Sequence, residues 1–314
     1  MRIMYRNFAE GNTYMYQTLS KYIMKRRPGA RFHHVYIKGL ENNIIFRERE
    51  DFIAGMNYVA ISTFSTCISM LAFTLMSNHF HFVVYGTAQE AKGFIDLYKN
   101  LIGRYVRNKY GTEQLLRRVS TGCKTIEQSN DALKSIIAYV LRNHIKAGIN
   151  VSVHGYEWSS GHCYFAGRNL LEGTRSLSEI GAREYRQMMR SKVRLSAGYR
   201  LNSSGYIEPA SYVCYEFVEN CYGRTQNFDY FIYKAGSSRS SEGPVDFSDD
   251  LVLAGLREIL FKKYEAKCLE DIEASCHKDI LLMLRRQFNC SPKQLARIMK
   301  MHLKEVLAVV SPGI

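Results

Sequence analysis

The sequence predicts an α+β chain: a ferredoxin-like antiparallel sheet with helices packed on one face, followed by a C-terminal all-helical unit of helix-turn-helix type. Three observations predict it. Strand-like and helix-like segments alternate over residues 32–146 in the order strand, helix, strand, strand, helix, strand, helix. Residues 235–244 form a Gly/Ser-rich stretch with the composition of a flexible linker. Residues 249–310 carry helical periodicity throughout.

The first strand is Phe32-His33-His34-Val35-Tyr36-Ile37-Lys38-Gly39, with a turn at Asn42-Asn43 and the apolar pattern resuming at Ile44-Ile45-Phe46. Residues 51–64 read as a helix and residues 67–76 as the second strand. Ser77-Asn78 is a two-residue turn into the third strand, residues 79–85, which is rich in aromatic and β-branched side chains. Thr87 and Glu90 have capping-box spacing and open a helix with Phe94, Leu97, Tyr98, Leu101, Ile102 and Tyr105 on its apolar stripe, stopped near Gly111. A fourth strand falls within residues 115–126. Ser129 then caps a helix over residues 132–146, apolar at Leu133, Ile136, Ile137, Val140 and Leu141, with Gly148 as its stop. Residues 165–235 show no clear period. Ser291-Pro292-Lys293-Gln294 is a strong helix start, with Ser as N-cap, Pro in the first turn and Gln closing the box. A helix over 292–299, a break at Lys300-Met301 and a helix over 302–309 have helix-turn-helix spacing without the usual turn glycine; a plain helical bundle is the other reading. The expected division is 1–170 (core 32–167), a mixed connecting region and linker at 171–245, and a helical unit at 246–314.

The 314 residues carry a net charge of +14, which points to an anionic partner. Nucleic acid is favoured over membrane, because no run of about 18 apolar residues is present. The N-terminus has no signal-peptide apolar core, and residues 1–30 are rich in Tyr and Lys/Arg, as a basic arm would be. None of the eight cysteines forms a Cys-x-x-Cys pair, which argues against a zinc ribbon; most fall in apolar runs, which fits a reduced, cytoplasmic protein, nucleoid-associated if its anionic partner is DNA.

The chemistry begins at His79-Phe80-His81. Alternate strand residues share a face, so two imidazoles lie together while Phe80 and Phe82 point the other way. Two imidazoles on a rigid strand are part of a divalent-metal site. On the helix over 132–146, Tyr139 and Asn143 are one turn apart on one face. Asn143 offers an amide oxygen to a hard cation and Tyr139 a phenol oxygen as nucleophile. The adjacent His33 and His34 point to opposite faces of their strand and read as structural. Tyr98, Tyr105 and Tyr110 are rival nucleophiles, but Tyr98 and Tyr105 fall on an apolar stripe. Trp158, the only tryptophan, reads as a packing anchor. Candidate DNA contacts are Arg104, Arg107, Arg117, Arg118, Arg142 and Lys146, with Lys293, Gln294, Arg297 and Lys304 in the helical unit; a denser basic cluster runs from Arg183 to Arg200.

Three segments, in order, resemble motifs of the HUH single-tyrosine transposases, specifically the REP-associated tyrosine transposase group. Met76-Ser77-Asn78-His79-Phe80-His81-Phe82-Val83-Val84 resembles the family's "MPNHxHhhh" strand. Tyr139-Val140-Leu141-Arg142-Asn143-His144-Ile145-Lys146-Ala147-Gly148-Ile149 resembles its "YVxxNPVRAGL" helix, and Tyr156-Glu157-Trp158-Ser159-Ser160 its "YPWSS" segment. His144 and Glu157 stand where the family has proline. His34-Val35 with Lys38-Gly39 and Ile45-Phe46 resemble the family's opening strand, so the resemblance spans about residues 32–167. It implies that His79, His81 and Asn143 bind Mg2+ or Mn2+, and that Tyr139 attacks single-stranded, hairpin-containing DNA to form a 5′-phosphotyrosine. It also implies a monomer or homodimer acting on palindromic repeats. A non-cutting hairpin-DNA-binding protein, or a metal-dependent hydrolase or RNA-binding protein on the same sandwich, are the other classes open to this sequence.

Overall fold

In the computed structural model, which describes residues 27–37, 44–111, 116, 119–147, 149, 152–234, 249–288 and 290–310, a four-stranded antiparallel sheet organises the first part of the chain. Its strands are β1 (Arg31–Ile37), β2 (Ser69–Met76), β3 (His79–Gly86) and β4 (Thr121–Thr125). They lie in the order β2-β3-β1-β4, and each neighbouring pair is antiparallel. Helix α1 (Arg49–Ser65) connects β1 to β2, α2 (Ala88–Tyr110) connects β3 to β4, and α3 (Asn130–Leu141) follows β4. The element order is the predicted one. The fourth strand is shorter than expected, with Leu116 in a turn before it.

Local signals set the element ends. Thr87 Oγ1 accepts the Glu90 N–H while Glu90 accepts the Thr87 N–H, and α2 stops where Gly111 adopts φ 64°. Phe80 and Phe82 of β3 pack on α2, with ring centroids 4.8 Å from Tyr98 and 5.0 Å from Phe94. On the same face α1 approaches so closely at Gly55 that a Cβ there would lie 2.6 Å from the Phe46 ring.

The expected one-sided packing is corrected. All but the first residue of β2 and of β3 is buried, so both faces of the sheet need a cover. Helices α1 and α2 cover the Phe80 face. The opposite face is covered by α3, whose Tyr139 lies against His81, and by α6 (Tyr215–Tyr222), whose Phe217 stacks on Phe32 at 5.8 Å. Helix α3 also ends earlier than predicted: Arg142 (φ −92°, ψ 7°) interrupts it, and α4 (Asn143–Lys146) is a separate turn.

Residues 171–234 form β5 (Arg175–Ser176), α5 (Ala182–Met189), β6 (Arg200–Leu201), α6 and α7 (Thr225–Asp229). Leu177, Tyr185, Ile207, Phe217 and Phe228 join the same buried core as the sheet, so this region is part of the first body and not a connector. A second core unites α8 (Asp249–Tyr264), α9 (Ala274–Phe288), α10 (Pro292–Met299) and α11 (Leu303–Val310) through Val252, Leu256, Leu284, Leu295 and Val306, together with Ile44 from the first region. Ser291 Oγ caps α10 by accepting the Gln294 N–H at 3.2 Å. Lys300 (φ 53°) takes the left-handed conformation that a turn glycine would, and its N–H donates to Ala296 O. The linker at 235–244 and residues 1–26 of the basic arm lie outside the described residues. Among the described residues no helix is long and apolar enough to cross a membrane.

Candidate metal and tyrosine centre

The register of β1 against β3 builds the site. Tyr36 is opposite His81 and His34 is opposite Val83, so His34 and Tyr36 share the His79/His81 face. His79 and His81 meet edge to face at 5.2 Å, and His34 stacks near His81 at 5.2 Å. The Tyr36 ring lies over Gly122 of β4, where a Cβ would stand 2.4 Å from it. Helix α3 brings the Tyr139 ring edge-on to His81 at 5.6 Å and to His34 at 5.7 Å. The Asn143 side chain lies within hydrogen-bond reach of His79. The residues selected from sequence, His79, His81, Tyr139 and Asn143, therefore converge.

Hydrogen bonds fix which atoms face inward. His79 Nδ1 donates to Asn78 Oδ1 at 2.7 Å, which leaves a lone pair on Nε2. His81 Nδ1 and His34 Nε2 are 3.0 Å apart; with Nδ1 donating, His81 also carries its lone pair on Nε2. Asn143 Nδ2 donates to the carbonyls of Tyr139 (2.9 Å) and Val140 (3.3 Å), which turns Oδ1 toward His79. The break at Arg142 thus preserves the one-turn relation between Tyr139 and Asn143.

Burial pushes His79 down to about 4; Asp249 and the Asn143 bond oppose that shift, and Arg297 adds to it. Burial also lowers His34 to about 4, helped by Lys124 opposite it on β4. At neutral pH these imidazoles are uncharged. The lone pairs of His79 Nε2 and Asn143 Oδ1 could be satisfied by a proton, a bridging water or a cation, and with His81 they make a donor set that could hold a divalent ion. Beside them, Arg142 is half-buried near the Tyr139 phenol; burial lowers its pKa and the phenol raises it. Its Nε is buried with no hydrogen-bond partner among the described residues.

The rival tyrosines lie in the other layer. Tyr98 is fully buried. Tyr105 and Tyr110 each donate a 2.8 Å hydrogen bond to the buried Asp51 carboxylate. Burial chiefly pushes Tyr105 up to about 12.

His33 is structural as expected, held 3.0 Å from Gly86 O. His34 lies on the other face of β1, where its Nε2 is 3.0 Å from His81 Nδ1, so it packs within the candidate site as the partner behind His81. Adjacency on β1 separates His33 from His34 but says nothing of which residue on β3 lies diagonally across. Tyr36 was missed for the same reason.

The candidate DNA contacts scatter. Arg104 and Arg107 are exposed on α2, in the layer away from Tyr139. Arg117, Arg118 and the side chain of Lys146 lie outside the described residues. Lys293 and Lys304 are exposed on α10 and α11. Gln294 and Arg297 are corrected: both turn inward onto the buried Asp249 carboxylate, Gln294 Nε2 at 3.0 Å and Arg297 Nε at 2.7 Å. Asp249 also accepts from Ser77 Oγ at 3.2 Å, which ties the helical unit to the turn just before His79.

The two departures from proline are accommodated. Glu157 accepts two 2.6 Å hydrogen bonds from Arg49, and buried His144 stacks on Tyr156 at 4.3 Å and 3°. Trp158 packs on Phe52 at 4.8 Å, as an anchor should. Compared with protein-family models, with curated proteins and with solved structures, the chain matches none.

Proposed function

We propose that the protein is a metal-dependent, single-tyrosine DNA strand transferase of HUH type, acting on single-stranded DNA that contains a hairpin. The observation that carries this reading is the convergence of Tyr139 and Asn143, from one helix, on His79 and His81, from one strand. The strand order β2-β3-β1-β4, with each β-α-β crossover split by a third strand, supports the ferredoxin-like assignment. The left-handed Lys300 between α10 and α11, with Lys304 exposed on α11, supports a helix-turn-helix that contacts DNA phosphates.

His79, His81 and Asn143 would hold Mg2+ or Mn2+. When bound, the cation polarises the phosphoryl oxygens and stabilises the charge that develops on them. Tyr139 supplies the nucleophile. Its oxygen bonds to phosphorus as the bond to the 3′ oxygen breaks, leaving a 5′-phosphotyrosine and a 3′-hydroxyl. The phenol gives up one proton and the departing oxygen takes one up. The ester link is conserved, so no nucleotide cofactor is needed, and attack by a 3′-hydroxyl on the phosphotyrosine rejoins DNA. A phenol ordinarily titrates near about 10. The Arg142 guanidinium lies beside the phenol, and its charge has the sign that would favour the phenolate.

The test is incubation of the full chain with a single-stranded hairpin oligonucleotide and Mg2+ or Mn2+. A denaturation-resistant protein–DNA adduct is expected, lost in Tyr139→Phe while DNA binding is retained. Binding without adduct would support a non-cutting DNA-binding protein instead. Free ends without adduct would support a hydrolase.

A further inference from the structure

We propose that His162, Cys163 and Glu208 form a zinc site separate from the His79 centre, joining the segment after Trp158 to the β6 hairpin. The His162 Nε2, Cys163 Sγ and one Glu208 carboxylate oxygen all lie within 4.8 Å of one another. His162 Nε2 is 2.6 Å from Glu208 Oε1 and 3.8 Å from Cys163 Sγ. In a tetrahedral zinc site, bond lengths of about 2.0–2.3 Å separate ligand atoms by about 3.3–3.8 Å. The sulfur is already at that spacing from the nitrogen and lies within 4.8 Å of the oxygen. The oxygen and nitrogen are drawn together by a hydrogen bond and need open by less than about 1 Å.

The donor set selects the metal. A thiolate and an imidazole favour zinc over the hard cations suited to His79, His81 and Asn143. Zn2+ with one thiolate, one carboxylate and a neutral imidazole sums to zero charge, which suits a site where Cys163 is fully buried and Glu208 nearly so. Binding forms the Zn–S, Zn–N and Zn–O bonds. The Cys163 thiol proton leaves to solvent, and the proton between His162 and Glu208 passes to solvent or, through it, to His162 Nδ1, so that the imidazole is neutral when Nε2 binds zinc. Half-buried His162 provides the route in.

Two further features suit a metal. Glu208 is held from behind: its N–H donates to Arg200 O at 2.8 Å, and its Oε2 accepts from Asn202 at 3.3 Å. The Tyr212 hydroxyl is buried with no hydrogen-bond partner among the described residues, close enough to Cys163 and Glu208 to feel their charge. Three protein ligands leave a fourth position for water, and that water would give Tyr212 a partner. Without metal the same surroundings keep the thiol protonated: burial, then Glu208 and Glu219, push the Cys163 pKa well up.

The site bridges two regions. Gly161–Cys163 is a short 3-10 turn following Ser160, whose N–H is bonded to Phe73 O of β2 at 3.1 Å. Glu208 follows Ile207, whose N–H donates to Asn57 Oδ1 on α1 at 2.8 Å. Zinc here would staple the β6 hairpin to the sheet, so its loss reads out as stability.

The experiment treats the chelator-stripped full chain with Co2+ or Zn2+ alone. Co2+ should give one thiolate-to-cobalt charge-transfer absorption per chain, and Zn2+ should displace it and raise Tm. Cys163→Ser should abolish the absorption and the Tm response. His162→Gln should keep the fold and weaken Zn2+ by at least about tenfold. The double variant His79→Ala/His81→Ala should retain the absorption, because that centre has no sulfur. A folded wild-type chain without the absorption, or an absorption that survives Cys163→Ser, overturns the proposal.

Discussion

The two faces of β3 are built from the same kind of residue and do different things. On one, Phe80 and Phe82 meet Phe94 and Tyr98 of α2, and every contact is apolar and closed. On the other, His79 and His81 meet His34 and Tyr139 at similar ring distances, near 5–6 Å. The second face replaces carbon with nitrogen lone pairs, each oriented by a partner behind it. Aromatic packing density alone therefore does not distinguish a core from a site. The orienting bonds do: Asn78 behind His79 and His34 behind His81.

Truncation should separate the two faces most sharply. Phe82→Ala removes a fully buried ring from the closed face and should cost about 3–5 kcal/mol in chemical denaturation. Tyr139→Phe, on the other face, should change stability by less than about 1 kcal/mol while removing the adduct. A Phe82→Ala protein as stable as the wild type would mean that the first face is not the core.

Next in size is the tie between the helical unit and the His79 turn. Arg297→Ala leaves Asp249 buried without its cation and should destabilise by about 3–5 kcal/mol. Arg297→Ala with Asp249→Asn should recover part of that loss. If the single variant is neutral in stability and weakens DNA binding, Arg297 faces DNA after all.

Smaller still is the orienting effect of His34. His34→Ala should leave the fold intact and weaken Mn2+ binding by about 10–100-fold, with His33→Ala, a structural change, not altering the metal affinity of the folded fraction. Equal effects on metal affinity from both would undo the distinction between the two faces of β1.

The smallest effect is on pH dependence. His34 and His79 sit at about 4 in the folded chain, below the ordinary imidazole value of about 6.5. The unfolded chain therefore binds more protons between those values. Their contribution to stability is complete above pH about 6.5 and is lost as pH falls toward 4. Between pH 6.5 and 4, thermal melts should show wild type losing more stability than His34→Ala. An equal loss in both, or a larger loss in the variant, would reverse the sign.

Much of this was legible in the sequence because its signals are local. The Thr87/Glu90 capping box, the His-x-His alternation and the one-turn spacing of Tyr139 and Asn143 need only a few neighbouring residues to read. What was not legible depends on register or on distant contacts. His34 belongs to the site only because β1 pairs with β3 two residues off from His81. Gln294 and Arg297 look like DNA-facing residues until Asp249, more than forty positions away, is seen to take both. The break at Lys300-Met301 was legible from the spacing, but not that Lys300 would take the left-handed conformation a turn glycine usually supplies. The helix break at Arg142 was also hidden, since the residues around it are ordinary helix formers.

On the proposed function, the nucleophile on the His79/His81 face of the sheet is Tyr139. The most direct measurement is peptide mapping by mass spectrometry after reaction with a hairpin oligonucleotide and nuclease trimming. The expected result is a nucleotide remnant on the phenol of Tyr139. A remnant on Tyr36, Tyr105 or Tyr110, or on none of the tyrosines under conditions where DNA is cut, would contradict it.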